Sequence, residues 1–186
     1  ALQHGMFLKD GEINLPELES EMPNINISFK LNKETGRPET YLNNENVENK
    51  IRTMEVSSHV SPVAAVSFVR AALVEQQKKM GKDKGIVMDG RDIGTVVFPN
   101  AELKIFVTAS PEVRAQRRYD ELKGKGMEAE FNDILENVKQ RDYIDSHRSV
   151  SPLRKAEDAI ELDNSNISIE EQKQWLINQY KRVCKN

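Results

Sequence analysis

Three short apolar runs, Gly85-Ile-Val-Met88, Leu103 to Val107 and Ala159 to Leu162, are separated by stretches whose apolar residues recur at helical spacing. A brief unbroken apolar run bounded by glycine predicts a strand buried on both faces, as in a parallel sheet. Alternation with helices restricts the chain to an α/β layer architecture. Ser110 followed by Pro111 predicts a cap and first turn, opening a helix to about Leu122 that Gly124 and Gly126 stop. A second helix from about Glu128 carries the stripe Phe131, Ile134, Leu135 and Val138. Ser168 and Glu171 form a capping box for a last helix, with Leu176, Tyr180 and Val183 expected on its core side.

Upstream the period changes. Ile25, Ile27, Phe29 and Leu31 alternate with polar residues, predicting a strand with one buried face. A turn over 32–37 returns the chain as a shorter strand from Glu39 to Leu42. The pattern becomes helical from Val47, and a longer helix is expected from about Pro62 to Met80. There Ser61 is most simply a cap before Pro62, and Arg70 most simply a surface residue. Ala1 to His4 followed by Gly5 resembles the last turn of a helix, which predicts that the chain is N-terminally truncated.

Charge and cysteine usage narrow the function. Against 27 Lys and Arg stand 30 Asp and Glu, a net charge of −3. That argues against a protein that coats nucleic acid polymers, which needs a basic excess. Cys184 is the single cysteine, so neither an internal disulfide nor a multi-cysteine zinc site can form. His4, His59 and His147 lack metal-ligand spacing, and no residue is assigned as a metal ligand. The apolar stretch from Val60 to Val69 is broken by Ser61, Pro62 and Ser67 and is too short for a bilayer. The expectation is a cytoplasmic monomer with no membrane partner.

Continued at helical spacing, the Phe131 stripe meets Arg141, Asp145 and Arg148. Two readings stand. The helix frays near Tyr143 and the three form a surface ion network, or they project inward and require a partner that neutralises them. A polyanion bearing hydroxyls would suit the second, with guanidinium forks for phosphate and the carboxylate for sugar. Asp89-Gly-Arg91-Asp92 follows an expected strand, where open α/β sheets bind ligands, although Asp-Gly pairs are commonly plain turns. Arg114, Arg117 and Arg118, with Lys123 and Lys125, form either a solvated basic face or the arginine-rich arm of a lid over phosphates.

Taken together, Asp89-Gly-Arg-Asp-Ile-Gly-Thr-Val-Val-Phe-Pro99, Leu103-Lys-Ile-Phe106, Arg141-Asp142 with Asp145, and Arg148-Ser-Val-Ser-Pro-Leu153 resemble bacterial cytidylate (CMP) kinase. Ile51-Arg-Thr-Met-Glu-Val56 and Val63-Ala-Ala65 with Arg70 extend the similarity over nearly the whole chain. The resemblance implies a P-loop nucleoside monophosphate kinase fold: a parallel-sheet core, a small antiparallel insertion and a helical lid. The implied segments are 1–20, a remnant of the core; 21–80, the monophosphate-binding insertion and following helix; 81–110, core strands; 111–148, lid and acceptor-binding helices; and 149–186, a core strand and the C-terminal helix.

It further implies transfer of the γ-phosphoryl of ATP to CMP or dCMP, giving CDP or dCDP and ADP, with Mg²⁺ on the donor phosphates. Ser61, Arg70 and Asp92 would read the cytosine. Arg91 and Arg148 would hold the monophosphate, with Arg141 and Asp145 near ribose and phosphate; Arg91, Arg141 and Arg148 are the catalytic candidates, assisted by Arg114, Arg117 and Arg118 from the lid. One departure matters. The family's Gly-x-x-x-x-Gly-Lys-Ser/Thr loop occurs nowhere in these 186 residues, so they are expected to be inactive by themselves. The alternatives are a nucleotide-binding or regulatory protein without kinase activity, and a P-loop kinase with another small acceptor.

Overall fold

A computed structural model describes residues 1–183, so the expectations for Cys184 lie outside the described residues. The chain separates into two compact units, 1–84 and 85–186.

In the first unit, Leu2–His4 form one 3₁₀ turn closed by Gly5, and helix α1 spans Leu15–Glu21. Strands β1 (Ile27–Leu31), β2 (Pro38–Leu42) and β3 (Glu45–Asn46) make an antiparallel sheet in that order, with Phe29 opposite Thr40. The hairpin matches the alternation, but its apolar face is not covered: Phe29 and Leu31 are exposed. The expected long helix is two, α2 (Met54–Ala65) and α3 (Ser67–Met80), bent by 96° where Val66 turns extended. The cap of α2 is Thr53, whose side chain accepts from the Val56 N–H. Ser61 and Pro62 therefore lie inside a helix rather than at its start. Met6, Leu18, Met22 and Val69 form the core of this unit, flanked by Ile13, Ile25, Phe68 and Leu73.

The second unit holds a parallel pair, β4 (Ile105–Thr108) and β5 (Ile160–Asp163), with Val107 opposite Leu162. Helices α4 (Pro111–Gly124), α5 (Phe131–His147) and α6 (Ile169–Val183) complete it. The run Gly85 to Met88 is a correction to the sequence reading. It forms no strand, and Ile86 and Val87 are exposed. A buried strand needs neighbours on both edges and layers on both faces, and the described residues do not supply them to this run. Val107 and Ile160 are likewise exposed within the pair.

The helix signals survive well. Ser110 accepts from the Val113 N–H at 3.2 Å. Ser168 and Glu171 bond reciprocally, each side chain to the other's N–H, at 2.8 and 3.2 Å. On α6, however, Tyr180 and Val183 are exposed, and Gln179 is the buried residue. No single helix among the described residues is long and apolar enough to cross a membrane.

α4 and α5 pack against each other through Ala115, Leu122 and Ile134, all at most 1% exposed. Leu122→Ala removes a fully buried side chain from this seam and should cost about 2–5 kcal/mol. Urea unfolding checks this; a loss under about 1 kcal/mol would show that the seam is loosely packed.

Candidate functional site

The apolar stripe of α5 does become charged, and the helix does not fray at Tyr143. It continues to His147, and the Arg148 N–H still bonds to the Ile144 carbonyl at 2.9 Å. Ile134 is buried on the apolar part of the face, and Asp145 and Arg148 are buried where it turns charged, 3% and 8% exposed. The helix thus carries Asp145 and Arg148 inward, with Arg141 partly buried.

These groups form a compact ion cluster. The Arg91 Nε donates to Asp145 Oδ2 at 3.0 Å. Arg148 Nη1 lies 3.7 Å from the other Asp145 oxygen, and its Nη2 lies 4.0 Å from Asp92 Oδ2. Arg148 Nε and Nη2 also both donate to the Ser151 carbonyl, at 2.8 and 2.6 Å. Ser151 sits in the left-handed region at φ 51, a costly setting for a non-glycine residue, and its carbonyl accepts both of those hydrogen bonds. The Leu153 N–H closes the loop onto the Asp145 carbonyl at 2.7 Å. Local backbone geometry thus serves to fix one guanidinium.

Asp92 reaches the cluster through an unusual turn. Its carbonyl accepts from the Val97 N–H, and that of Ile93 from the Phe98 N–H at 2.7 Å, the i to i+5 bonding of a π-turn over Ile93–Val97. Such turns are rare and concentrate at functional sites. Gly90 is needed because a Cβ there would stand 2.9 Å from Ile93 Cγ1. The turn buries Asp92 to 1% exposure, whereas Arg91, next in sequence, keeps 42% of its side chain in solvent.

Arg141 completes the set. Its pKa is lowered, first by burial and then by the neighbouring Arg91 charge, although Asp145 and Asp142 pull the other way. A guanidinium whose surroundings disfavour its charge gains when an anion arrives. Across Arg91, Arg141 and Arg148 against Asp92 and Asp145, the cluster holds one more cation than anion.

Arg114, Arg117 and Arg118, expected on a lid, are engaged differently. Arg114 forks onto both oxygens of Asp142, at 2.8 and 2.5 Å, with its Nε on the Ala109 carbonyl. Arg117 donates to the side chain and carbonyl of Asn164, and Arg118 pairs with Glu121. Arg91, Arg114 and Asp142 border a cleft of ≈ 580 Å³ beside β4. Asp142 has no role in the sequence reading beyond its place in the motif. Its partner is 28 residues away, and no local pattern marks it.

Ser61 and Arg70 belong to the first unit. The structure buries both, at 2% and 8% exposure, correcting the simple readings of a cap and a surface residue. Among the described residues no group of three His, Cys, Asp or Glu side chains could hold a metal ion.

Comparison with known proteins gives the family of the chain. A sequence model of the family "Cytidylate kinase" matches residues 11–182. A cytidylate kinase of Bacteroides thetaiotaomicron is 65% identical over 185 residues, spanning all of this chain and 80% of that relative's length. One of Phocaeicola vulgatus is 66% identical over 97% of this chain and 78% of its own. One of Porphyromonas gingivalis is 58% identical over 98% and 79%. With the family model covering nearly every residue and relatives this similar along the whole length, the chain belongs to the cytidylate kinase family.

Proposed function

We propose that the chain carries the acceptor side of ATP-dependent phosphoryl transfer to CMP or dCMP, giving the diphosphate and ADP. The observation that carries this reading is the guanidinium–carboxylate cluster in which Asp92, Asp145 and Arg148 are buried and Arg91 and Arg141 stand beside them. An acceptor monophosphate brings the anion that such a cluster favours, and a ribose brings hydroxyls that Asp145 can accept from.

The acceptor phosphate is mostly dianionic at neutral pH, since its second pKa lies near 6. It therefore needs no base to make it a nucleophile. One of its oxygens forms the new bond to the γ-phosphorus as the bond from that phosphorus to the β-bridging oxygen breaks, and ADP leaves with the electron pair. What remains for the protein is alignment and charge neutralisation. Arg91, Arg141 and Arg148 hold the acceptor phosphate in this reading. Asp92, buried against Arg148, is the acceptor for an exocyclic amino group on the base; a base-reading role for Ser61 and Arg70, in the first unit, rests on the family resemblance alone.

The Gly-x-x-x-x-Gly-Lys-Ser/Thr sequence does not occur in these 186 residues, so no donor-side step is assigned to them. ATP is the donor in the family reading. Mg²⁺ would come with the donor's phosphates; the described residues do not fit a protein-built metal site, and no step here runs through it.

Calorimetric titration of the protein with CMP and UMP tests the reading, with tighter binding of CMP expected. Arg148→Ala should weaken CMP binding about 10- to 100-fold, the loss of a charged hydrogen-bond donor. Arg148→Lys, which keeps the charge, should weaken it less while preserving the fold. An unchanged dissociation constant in both would remove Arg148 from the site. Asp92→Asn should erode the preference for CMP over UMP, and an unaltered ratio would exclude it from base reading.

A further inference from the structure

Two arginines of the second unit sit in opposite electrostatic settings. Arg141 sits where burial and the Arg91 cation disfavour its charge. Arg114 sits where its charge is already matched: its pKa is raised, chiefly by the bond to Asp142. Three of its donor hydrogens are also placed, Nε on the Ala109 carbonyl and one from each terminal nitrogen on Asp142. A bidentate Arg–carboxylate pair fixes orientation as well as distance.

What it fixes matters. Ala109 directly follows β4, Arg114 lies in the first turns of α4, and Asp142 is adjacent to Arg141 and three residues before Asp145 on α5. One residue of rotation about a helix axis is about 100°, so the setting of Asp142 determines which way Arg141 and Asp145 project. The Asp142 carbonyl also accepts from Ser146 Oγ at 2.5 Å, one turn further along. This side chain pair lies at the edge of the cleft that Arg91 borders.

We propose that Arg114 and Asp142 form a positioning latch: they hold α5 in the rotational setting that presents Arg141 and Asp145 to the acceptor nucleotide, and Arg114 itself does not contact nucleotide phosphate. This rests on the acceptor reading above and reassigns Arg114 from the phosphate-facing role that the family resemblance implies. Arg117 and Arg118 are not part of the latch.

The test is a double-mutant cycle on the whole chain, read by CMP affinity and thermal midpoint. Arg114→Lys keeps the charge but loses the fork, and Asp142→Asn keeps the shape but loses the charge. Each should weaken CMP binding about tenfold in a protein that is still folded at the assay temperature. The double variant should be no weaker than either single, because residues acting as one unit are not additive. Losses that multiply in the double variant would overturn the proposal, because the two residues would then act on CMP binding independently. A lowered midpoint with unchanged CMP affinity would also overturn it, leaving the pair merely structural. Wild-type protein that fails to bind CMP would overturn both this and the acceptor reading, whereas the other two outcomes overturn the latch alone.

Discussion

Burying charge is the constraint on which this structure turns. Asp92, Asp145 and Arg148 are withdrawn almost completely from water, and an ion removed from water costs several kcal/mol unless its neighbours replace the lost solvation. The second unit is arranged to supply that replacement. A π-turn carries Asp92 inward, α5 runs long enough to bring Asp145 and Arg148 to it, and a left-handed serine offers its carbonyl to the same guanidinium. None of these features is the cheapest local choice for the backbone. Each makes sense as the support of a charged cluster.

The cluster is then more than a stability device. A hydrophobic replacement of similar volume commonly holds a fold as well as a buried ion pair does. A surplus guanidinium in a partly closed site instead creates a preference for an anion of fixed shape. For phosphoryl transfer this is the useful property, since the protein's task is to position the acceptor and absorb charge rather than to make a covalent intermediate. Within one basic population two settings occur: Arg91 and Arg148 pair with Asp145 of the cluster, whereas Arg114 forks onto Asp142. A count of arginines on a helix face does not reveal that division.

How far the sequence foretold this depends on the range of each interaction. The α5 stripe was legible because one period continues from Phe131 through Arg148, and the change from apolar to charged residues occurs in phase. The caps at Ser110 and Ser168 were legible because their bonds close within three residues. Gly85 to Met88 misled because its composition suits a buried strand, while burial depends on neighbours that a local window does not contain. Pro62 misled because proline is favoured in a first turn, yet the stronger cap lay nine residues earlier at Thr53. Phe29 and Leu31 keep the strand period without the cover that normally accompanies it. The Arg114–Asp142 pair could not be read at all, since only the packing of α4 on α5 joins the two residues.

The central claim is that the guanidinium groups of the Asp92–Asp145 cluster receive the acceptor phosphate while Arg114 does not. Its most direct test is an NMR titration that follows the arginine side-chain Nε–Hε signals as CMP is added. The account predicts that the signals of Arg91, Arg141 and Arg148 move together and saturate with one dissociation constant, with that of Arg114 nearly stationary. Movement led by Arg114, Arg117 or Arg118, with the cluster arginines silent, would contradict it.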